Sequence, residues 1–199
     1  MSNNHIFLIH GLGAHPITLW PLEQYLKYNN HTNVHRLYYP SQTLKLETCI
    51  RYIDTEMSKI VNKDFDQIVL IGQSLGGLIC HELHKCGWNV NLSITFGSPH
   101  KGSDLLKTLE KYLPTTVADY FKNPVLYDLL PEKRKNISEP PHPFYTVSTS
   151  FTPWTSFDGQ VYTSETMMDP GKHLHVNWDN HWTMAINRNI FRFINNKIM

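Results

Sequence analysis

The feature that most constrains the fold of this chain is a serine flanked by glycines between a predicted strand and a predicted helix. The aliphatic run 67–71 precedes the motif Gly72-Gln73-Ser74-Leu75-Gly76-Gly77, and apolar residues then recur with helical spacing over 78–83. A serine at such a sharp turn takes a strained backbone conformation that exposes its hydroxyl. The residues two before and two after it come so close that side chains would clash, which explains the glycines. The first amides of the helix favour negative charge near the hydroxyl.

Apolar runs of strand length alternate with segments of helical spacing along the chain. The runs are 6–9, about 34–39, 68–71, 92–96, 144–148 and about 173–176. The predicted helices are about 20–28, 44–61, 74–85 and 182–195. Such alternation predicts an α/β fold, a compact, doubly wound and mostly parallel sheet of about six strands with helices on both faces. Ligands of these sheets bind beyond the carboxyl ends of the strands.

The segment 103–143 departs from this alternation. It is rich in leucine and aromatic residues and is interrupted by six prolines, so short helices fit it better than one long helix. Two interpretations remain open: a short helical cap or acyl-pocket wall beside the edge that holds the serine, or an ordinary covering helix with a long loop. A chain of 199 residues is expected to form a single domain over 1–199 in either case.

Composition and charge exclude several classes of function. The hydrophobic content of 41% and charged content of 18% are typical of soluble globular proteins, and a net charge of +1 recruits neither nucleic acid nor an anionic membrane. No signal peptide or transmembrane segment is recognised, because the first apolar run is only of strand length. Cys49, Cys80 and Cys86 form no even framework and no metal-ligand spacing. These features predict reduced thiols and a cytoplasmic location.

A serine hydroxyl is a weak nucleophile and needs a histidine base that a carboxylate holds in one tautomer. In chains with this motif the acid follows the serine in sequence, and the histidine follows the acid. Asp158, in an Asp-Gly turn, is the first carboxylate after the run 144–148. Glu165 and Asp169 lie later in the same loop and are competing candidates, and an aspartate that only forms a turn is the structural alternative.

His181 is the candidate base. The chain has 12 histidines, and position selects among them, because His181 lies in the loop before the last predicted helix whereas His173 and His175 lie within the last predicted strand. Asp179 is too near His181 in sequence to be placed easily beneath its ring. His100 precedes every candidate acid along the chain and is interpreted as a structural residue.

Two backbone amides are expected to stabilise negative charge on the oxygen of a reacting carbonyl. The Leu75 amide directly follows the serine, and a second donor should come from the loop after the first strand. That loop is His10-Gly11-Leu12-Gly13, and its best candidate is the Leu12 amide. The alternative interpretation of this glycine-rich loop is a flexible turn.

Taken together, these blocks resemble the small lipases and esterases of the α/β-hydrolase superfamily, in particular the group near lipase class 2 and the inositol-deacylase-like lipases. The similar segments are 6–13, 72–78, 97–103, 158–161 and 180–182. The resemblance implies hydrolysis of carboxylic esters by a triad of Ser74, Asp158 and His181, an oxyanion hole at Leu12 and Leu75, and no cofactor or metal. One departure is Gln73, which stands where the family usually has histidine.

The substrate implied by the resemblance is a small-molecule or lipid ester, which points to lipid metabolism. The apolar segment 103–143 motivates the hypothesis of a transient contact with a membrane surface. Two other functions remain open: a thioesterase or acyltransferase that uses the same triad, and a non-catalytic ligand-binding module. A nucleic-acid role has no support, because no basic face or recognised motif is present.

Overall fold

One parallel sheet forms the centre of the molecule, a computed structural model that describes residues 4–63, 66–112, 124–135, 137 and 139–199. Its strands are β1 His5–Ile9, β2 Val34–Leu37, β3 Ile68–Gln73, β4 Val90–Phe96, β5 Phe144–Ser150 and β6 His173–Asn177. They lie in the order β2-β1-β3-β4-β5-β6, and every neighbouring pair is parallel. The predicted six-stranded, doubly wound sheet is therefore confirmed for the described residues.

Helices cover both faces of the sheet. They are α1 Trp20–Tyr28, α2 Leu46–Ser58, α3 Leu75–Leu83, α4 Asp104–Tyr112, α5 Pro124–Asp128, α6 Thr163–Thr166 and α7 Arg188–Ile198. On one face α2, α3 and α5 pack on side chains such as Phe7 and Leu70, and on the other α1 and α7 pack on Leu8 and Ile71. Alternate residues over 6–9 of β1 and 68–71 of β3 thus enter separate cores, which explains why these parts of both strands are apolar on both faces. None of the described helices has the length and apolar character needed to span a bilayer.

The boundaries of the elements show where local sequence misleads. The helix α1 begins and ends as predicted, whereas the predicted helix 44–61 is shorter at both ends. The prediction of one continuous helix over 182–195 was wrong. A 3-10 turn over 183–186 comes first, and α7 follows it as a separate helix. Asn187 separates the two with an extended backbone, and its side chain accepts hydrogen bonds from the amides of residues 189 and 190. It is an N-cap, which starts a new helix instead of continuing the old one.

The segment 103–143 contributes two short helices, α4 and α5, beside the carboxyl edge of the sheet, whereas 113–123 lie outside the described residues. Prolines begin both α5 and the 3-10 turn 131–133, where a missing amide hydrogen costs little. The start of α4 is joined to the end of α5, because the Ser103 amide donates to the carbonyl of Leu129 over 2.8 Å. The expectation of short helices broken by prolines is confirmed for the described part.

Candidate active site

Ser74 lies at the turn between β3 and α3, at the carboxyl edge of the sheet. Its backbone has φ 53° and ψ −120°, a conformation that few residues other than glycine adopt. A hydrogen bond of 2.9 Å from its amide to the carbonyl of Phe96 on β4 fixes the turn to the neighbouring strand. The backbone strain predicted for this serine is therefore present.

The glycines around Ser74 are required by close backbone packing. A Cβ atom on Gly72 would lie 2.4 Å from the carbonyl oxygen of Gly76, and one on Gly76 would lie 2.1 Å from that of Ile9. The first contact is the clash expected across the turn. The second arises because α3 starts directly against the end of β1, which no local pattern reveals.

Asp158 and His181 form a buried pair after β5 and β6. An Oδ2 atom of Asp158 lies 2.8 Å from Nδ1 of His181, and Oδ1 accepts hydrogen bonds from the amides of Gln160 at 2.9 Å and Val161 at 2.7 Å. The His181 amide also donates to the carbonyl of Asp158 over 2.9 Å. Because the carboxylate accepts from Nδ1, the proton of a neutral imidazole is on Nδ1, and Nε2 carries the lone pair that a base needs.

The competing carboxylates have other partners. Glu165 accepts from the amides of Asp104 at 2.5 Å and Tyr162 at 2.7 Å, and burial raises its pKa. Asp169 accepts from the amide of Gly171 in a surface turn. Asp179 accepts from Thr183 Oγ1 and, at 2.6 Å, from Asn187 Nδ2. These bonds hold loops and helix ends. Of these four carboxylates, Asp158 is the one that is hydrogen-bonded to the imidazole of His181.

The loop after β1 packs directly over the serine. A Cβ atom on Gly11 would lie 3.0 Å from that of Ser74. His10 shapes this loop, because its Nδ1 donates to the Gly11 carbonyl over 2.8 Å and its ring stacks on Tyr39 with centroids 4.5 Å apart. Burial lowers the pKa of His10, which favours the neutral ring.

Both proposed oxyanion residues lie beside Ser74. Leu75 is the first residue of α3, and the first amides of a helix have no acceptor within it. The amide of Leu75 is therefore available to an oxygen bound at the serine. Leu12 lines the same cavity as Leu75 and Ser74, on the side of the β1 loop.

A cavity of about 870 Å³ opens at this edge and has Ser74 and His181 in its lining. Its volume is within the usual range for a small-molecule site. One wall is apolar and comes from α4, α5 and their flanks: Leu105, Leu106, Pro124, Leu126 and Leu129. Apart from Ser74 and His181, the polar side chains of the described lining are amides and a hydroxyl: Gln42, Gln73, Ser103 and Gln160. No carboxylate, lysine or arginine is among the described lining residues, so the cavity suits an uncharged ligand.

Sequence reasoning missed one contact of the site. Gln73, the residue before the serine, is buried, and its Nε2 donates to the backbone carbonyl of His181 over 3.2 Å. The only signal was that glutamine replaces the histidine usual in similar sequences.

His100 bonds through Nε2 to Thr95 Oγ1 at 2.8 Å inside the core, and burial holds its pKa well below the ordinary value, in keeping with a structural role. Within the described residues no cluster of three or more histidines, cysteines or carboxylates could hold a metal.

Comparisons with known proteins identify the fold. No family model and no curated protein sequence matches this chain. Among solved structures, the mature lipase BlEst2 of Bacillus licheniformis is 15% identical with a TM-score of 0.77, and the match covers 98% of this chain and 92% of that one. The metagenomic carboxyl esterase MGS0156 is 13% identical with a TM-score of 0.74, covering 99% of this chain and 75% of that one.

A more distant match is phospholipase PlaB of Legionella pneumophila, 15% identical with a TM-score of 0.66, covering 85% of this chain and 46% of that one. At sequence identities this low, the structural similarity shows a shared fold and does not show a shared substrate or mechanism. The chain therefore has the α/β-hydrolase fold of small lipases and esterases.

Proposed function

We propose that this chain is a serine hydrolase that cleaves carboxylic esters through an acyl-enzyme on Ser74. The observation that carries the proposal is the convergence of a strained serine and a carboxylate-bound histidine on one cavity. These groups come from the ends of three different strands, and Ser74 and His181 are 107 positions apart in the sequence. The lipases and esterases with the same fold support ester hydrolysis as the reaction class.

Each proposed residue has a defined task in the reaction. Ser74 Oγ attacks the ester carbonyl while His181 Nε2 accepts its proton, and the same imidazolium then protonates the leaving alcohol. Asp158 holds the ring and stabilises its positive charge. The amides of Leu12 and Leu75 bind the oxyanion, and each such donor contributes about 2.7–4 kcal/mol to the lowering of the barrier. Water activated by His181 then releases the acid and restores Ser74.

The cavity favours an uncharged ester with an apolar acyl group. The wall formed by α4 and α5 is apolar, and burial of each methylene there contributes about 0.8 kcal/mol. A series of p-nitrophenyl esters of increasing acyl length, with and without micelles, measures this preference. Competing thioester and alcohol substrates distinguish the alternative functions from an esterase. A thioesterase differs in the bond that it cleaves, and an acyltransferase differs in passing the acyl group to an acceptor other than water.

A contact with a lipid surface is better supported by the loops around the site than by the segment 103–143. Four exposed aromatic residues of these loops, here called the aromatic rim, are Phe151, Trp154, Trp178 and Trp182. The exposed fractions of its tryptophans run from 62% to 83%, and Trp182 also lines the cavity. Tryptophan favours the interface between water and lipid. We therefore propose that the rim makes the transient membrane contact, whereas a cytoplasmic location and a role in lipid metabolism stay predictions.

Replacement of the serine tests the proposed function. Ser74→Ala is expected to lower the rate of p-nitrophenyl butyrate hydrolysis by at least about 10³-fold, because the nucleophile is removed. The matched control is Ser58→Ala on the surface of α2, which should keep the wild-type rate. Circular dichroism checks that both variants are folded. Wild-type turnover by folded Ser74→Ala would refute the assignment.

A further inference from the structure

Gln73 connects the strand of the serine to the loop of the histidine. It is the last residue of β3, directly before Ser74, and its side chain is 8% exposed. Its Nε2 lies 3.2 Å from the backbone carbonyl oxygen of His181, a residue 108 positions further along the chain. A carbonyl oxygen only accepts hydrogen bonds, so the group that faces it must be the amide NH₂ of Gln73.

This bond completes the support of the His181 backbone. The amide of His181 donates to the carbonyl of Asp158 over 2.9 Å, while its carbonyl accepts from Gln73. One side of the histidine is thus held by the residue that carries the acid, and the other by the neighbour of the nucleophile. The ring itself packs closely against β4, since a Cβ atom on Gly97 would lie 3.2 Å from its Cε1.

Other hydrogen bonds of the loop lead away from the serine. Asp179 accepts from the amide of Asn180 at 2.8 Å and from the side chain of Asn187, which caps α7. These contacts fix the loop to the last helix but not to β3. The bond from Gln73 is therefore well placed to set the separation between the imidazole and the hydroxyl of Ser74.

We propose that Gln73 is a positioning residue of the reaction, which holds the His181 imidazole within proton-transfer distance of Ser74. The inference rests on the proposed function. Proton transfer requires heavy atoms at hydrogen-bond distance, and a misplacement of about 1 Å can lower a rate by about 10²-fold. Gln73 acts through the backbone of His181 and needs no contact with the substrate for this role.

Three variants test this role. Gln73→Met keeps the length of the side chain and removes the donor, so we expect kcat for p-nitrophenyl butyrate to fall by about 5- to 50-fold with KM changed by less than about twofold. Gln73→His supplies a ring N–H donor and should recover part of kcat. Gln67→Met is the matched control, because this exposed glutamine directly before β3 accepts a hydrogen bond from Asn91, far from His181 in the fold, and should keep wild-type kcat.

The variant Gln73→Glu tests the hydrogen bond through the pH dependence of kcat, which a role of Gln73 in packing alone would leave unchanged. An ionised carboxylate cannot donate to the His181 carbonyl, whereas a protonated carboxyl group can, and burial raises the pKa of such a group. Hydrogen bonds lead from this position to two titratable residues, His181 and its partner Asp158, which all variants share. We therefore expect the ratio of kcat for Gln73→Glu to that for wild type to rise as the pH falls from 8 to 5.5.

The outcomes separate this inference from the proposed function. Wild-type kcat and pH profile in folded Gln73→Met would overturn the positioning role. If that variant does not fold, the Gln73→Glu ratio decides, and a ratio independent of pH overturns it. Labelling of Ser74 by a fluorophosphonate in the wild-type protein tests the esterase proposal alone. If the wild-type protein is labelled and Gln73→Met has wild-type kcat, only the role of Gln73 is disproved.

Discussion

At the scale of single residues, the strain at Ser74 is maintained by its neighbours. The serine is held at φ 53° while Gly72 and Gly76 pack against backbone, and Gly11 packs against the serine itself. The glycines and the serine are therefore one unit, in which the absence of side chains permits the conformation that exposes the hydroxyl. The contact between Gly72 and Gly76 is local, so the motif could be predicted from the sequence, whereas the contact of Gly76 with Ile9 could not.

Gly76→Ala should destabilise the protein strongly. The new Cβ would lie 2.1 Å from the carbonyl oxygen of Ile9 and 2.6 Å from that of His10, so β1 or α3 must move. We expect the free energy of unfolding, measured with urea, to fall by about 3 kcal/mol. The matched control is Gly171→Ala, whose Cβ would meet only a side-chain oxygen of Asp169 at 3.4 Å, with an expected change within about 0.5 kcal/mol. Equal stability of the two variants would contradict this packing.

At the scale of elements, two loops hold both the proposed acid and base and the aromatic rim. The loop after β5 presents Asp158 inward and Trp154 outward, and the loop after β6 presents His181 inward and Trp178 outward. The rings of Trp154 and Trp178 meet edge to face with centroids 6.1 Å apart, which joins the two loops at the surface. The four side chains of the rim are uncharged, and the carboxylates nearest to them in sequence, Asp158 and Asp179, are buried. Such a surface fits a zwitterionic lipid interface.

Removal of the two outer tryptophans should separate activity on lipid from activity in solution. For Trp154→Ala combined with Trp178→Ala, we expect hydrolysis of a monomeric ester to change by less than about twofold. Cosedimentation with phosphatidylcholine vesicles should fall by about tenfold, because two interfacial side chains are lost. Tyr28→Ala, an aromatic residue that is 87% exposed on α1, is the matched control and should bind vesicles like wild type. Absence of vesicle binding by the wild-type protein would contradict the rim proposal.

At the scale of the whole molecule, the sequence predicts the sheet because alternation and burial repeat along the entire chain. It predicts the order of Ser74, Asp158 and His181 because each follows a strand whose end lies at the same edge. It does not predict the bond from Gln73 to His181, since that contact depends on how the end of β3 and the loop of His181 approach each other after folding. Nor does it predict the break at Asn187, where capping by one side chain outweighs a continuous apolar pattern. Residues 113–123 of the segment 103–143 lie outside the described residues.

Buried histidines make the stability of the whole molecule dependent on pH. Burial is the main cause that lowers the pKa of His142 and of His173 to about 4, from an ordinary value of 6.5. Between these values the unfolded chain binds protons that the folded chain does not, so stability is lost as the pH falls from about 6.5 to 4. Glu82, with its pKa lowered to about 2, adds to the loss below pH 4.5, while the raised pKa of Glu165 partly offsets the loss above pH 4.5.

Urea unfolding at pH 7, 5.5 and 4.5 measures this dependence. We expect the free energy of unfolding to decrease at each step. His142→Gln should show a shallower decrease, because it removes one of the buried imidazoles while an amide can still bond to Ser93. A free energy of unfolding that is constant or rises as the pH is lowered would contradict the assignment of these histidines as neutral groups in the fold.

The central claim is that His181 activates Ser74 as a nucleophile, and covalent labelling tests it most directly. The folded protein is treated with a fluorophosphonate, digested and analysed by peptide mass spectrometry. The account predicts a single adduct on Ser74 in the wild-type protein and a labelling rate at least about 10²-fold lower in His181→Asn, which lacks the base. An unlabelled wild-type protein, or an adduct on another serine, would contradict it.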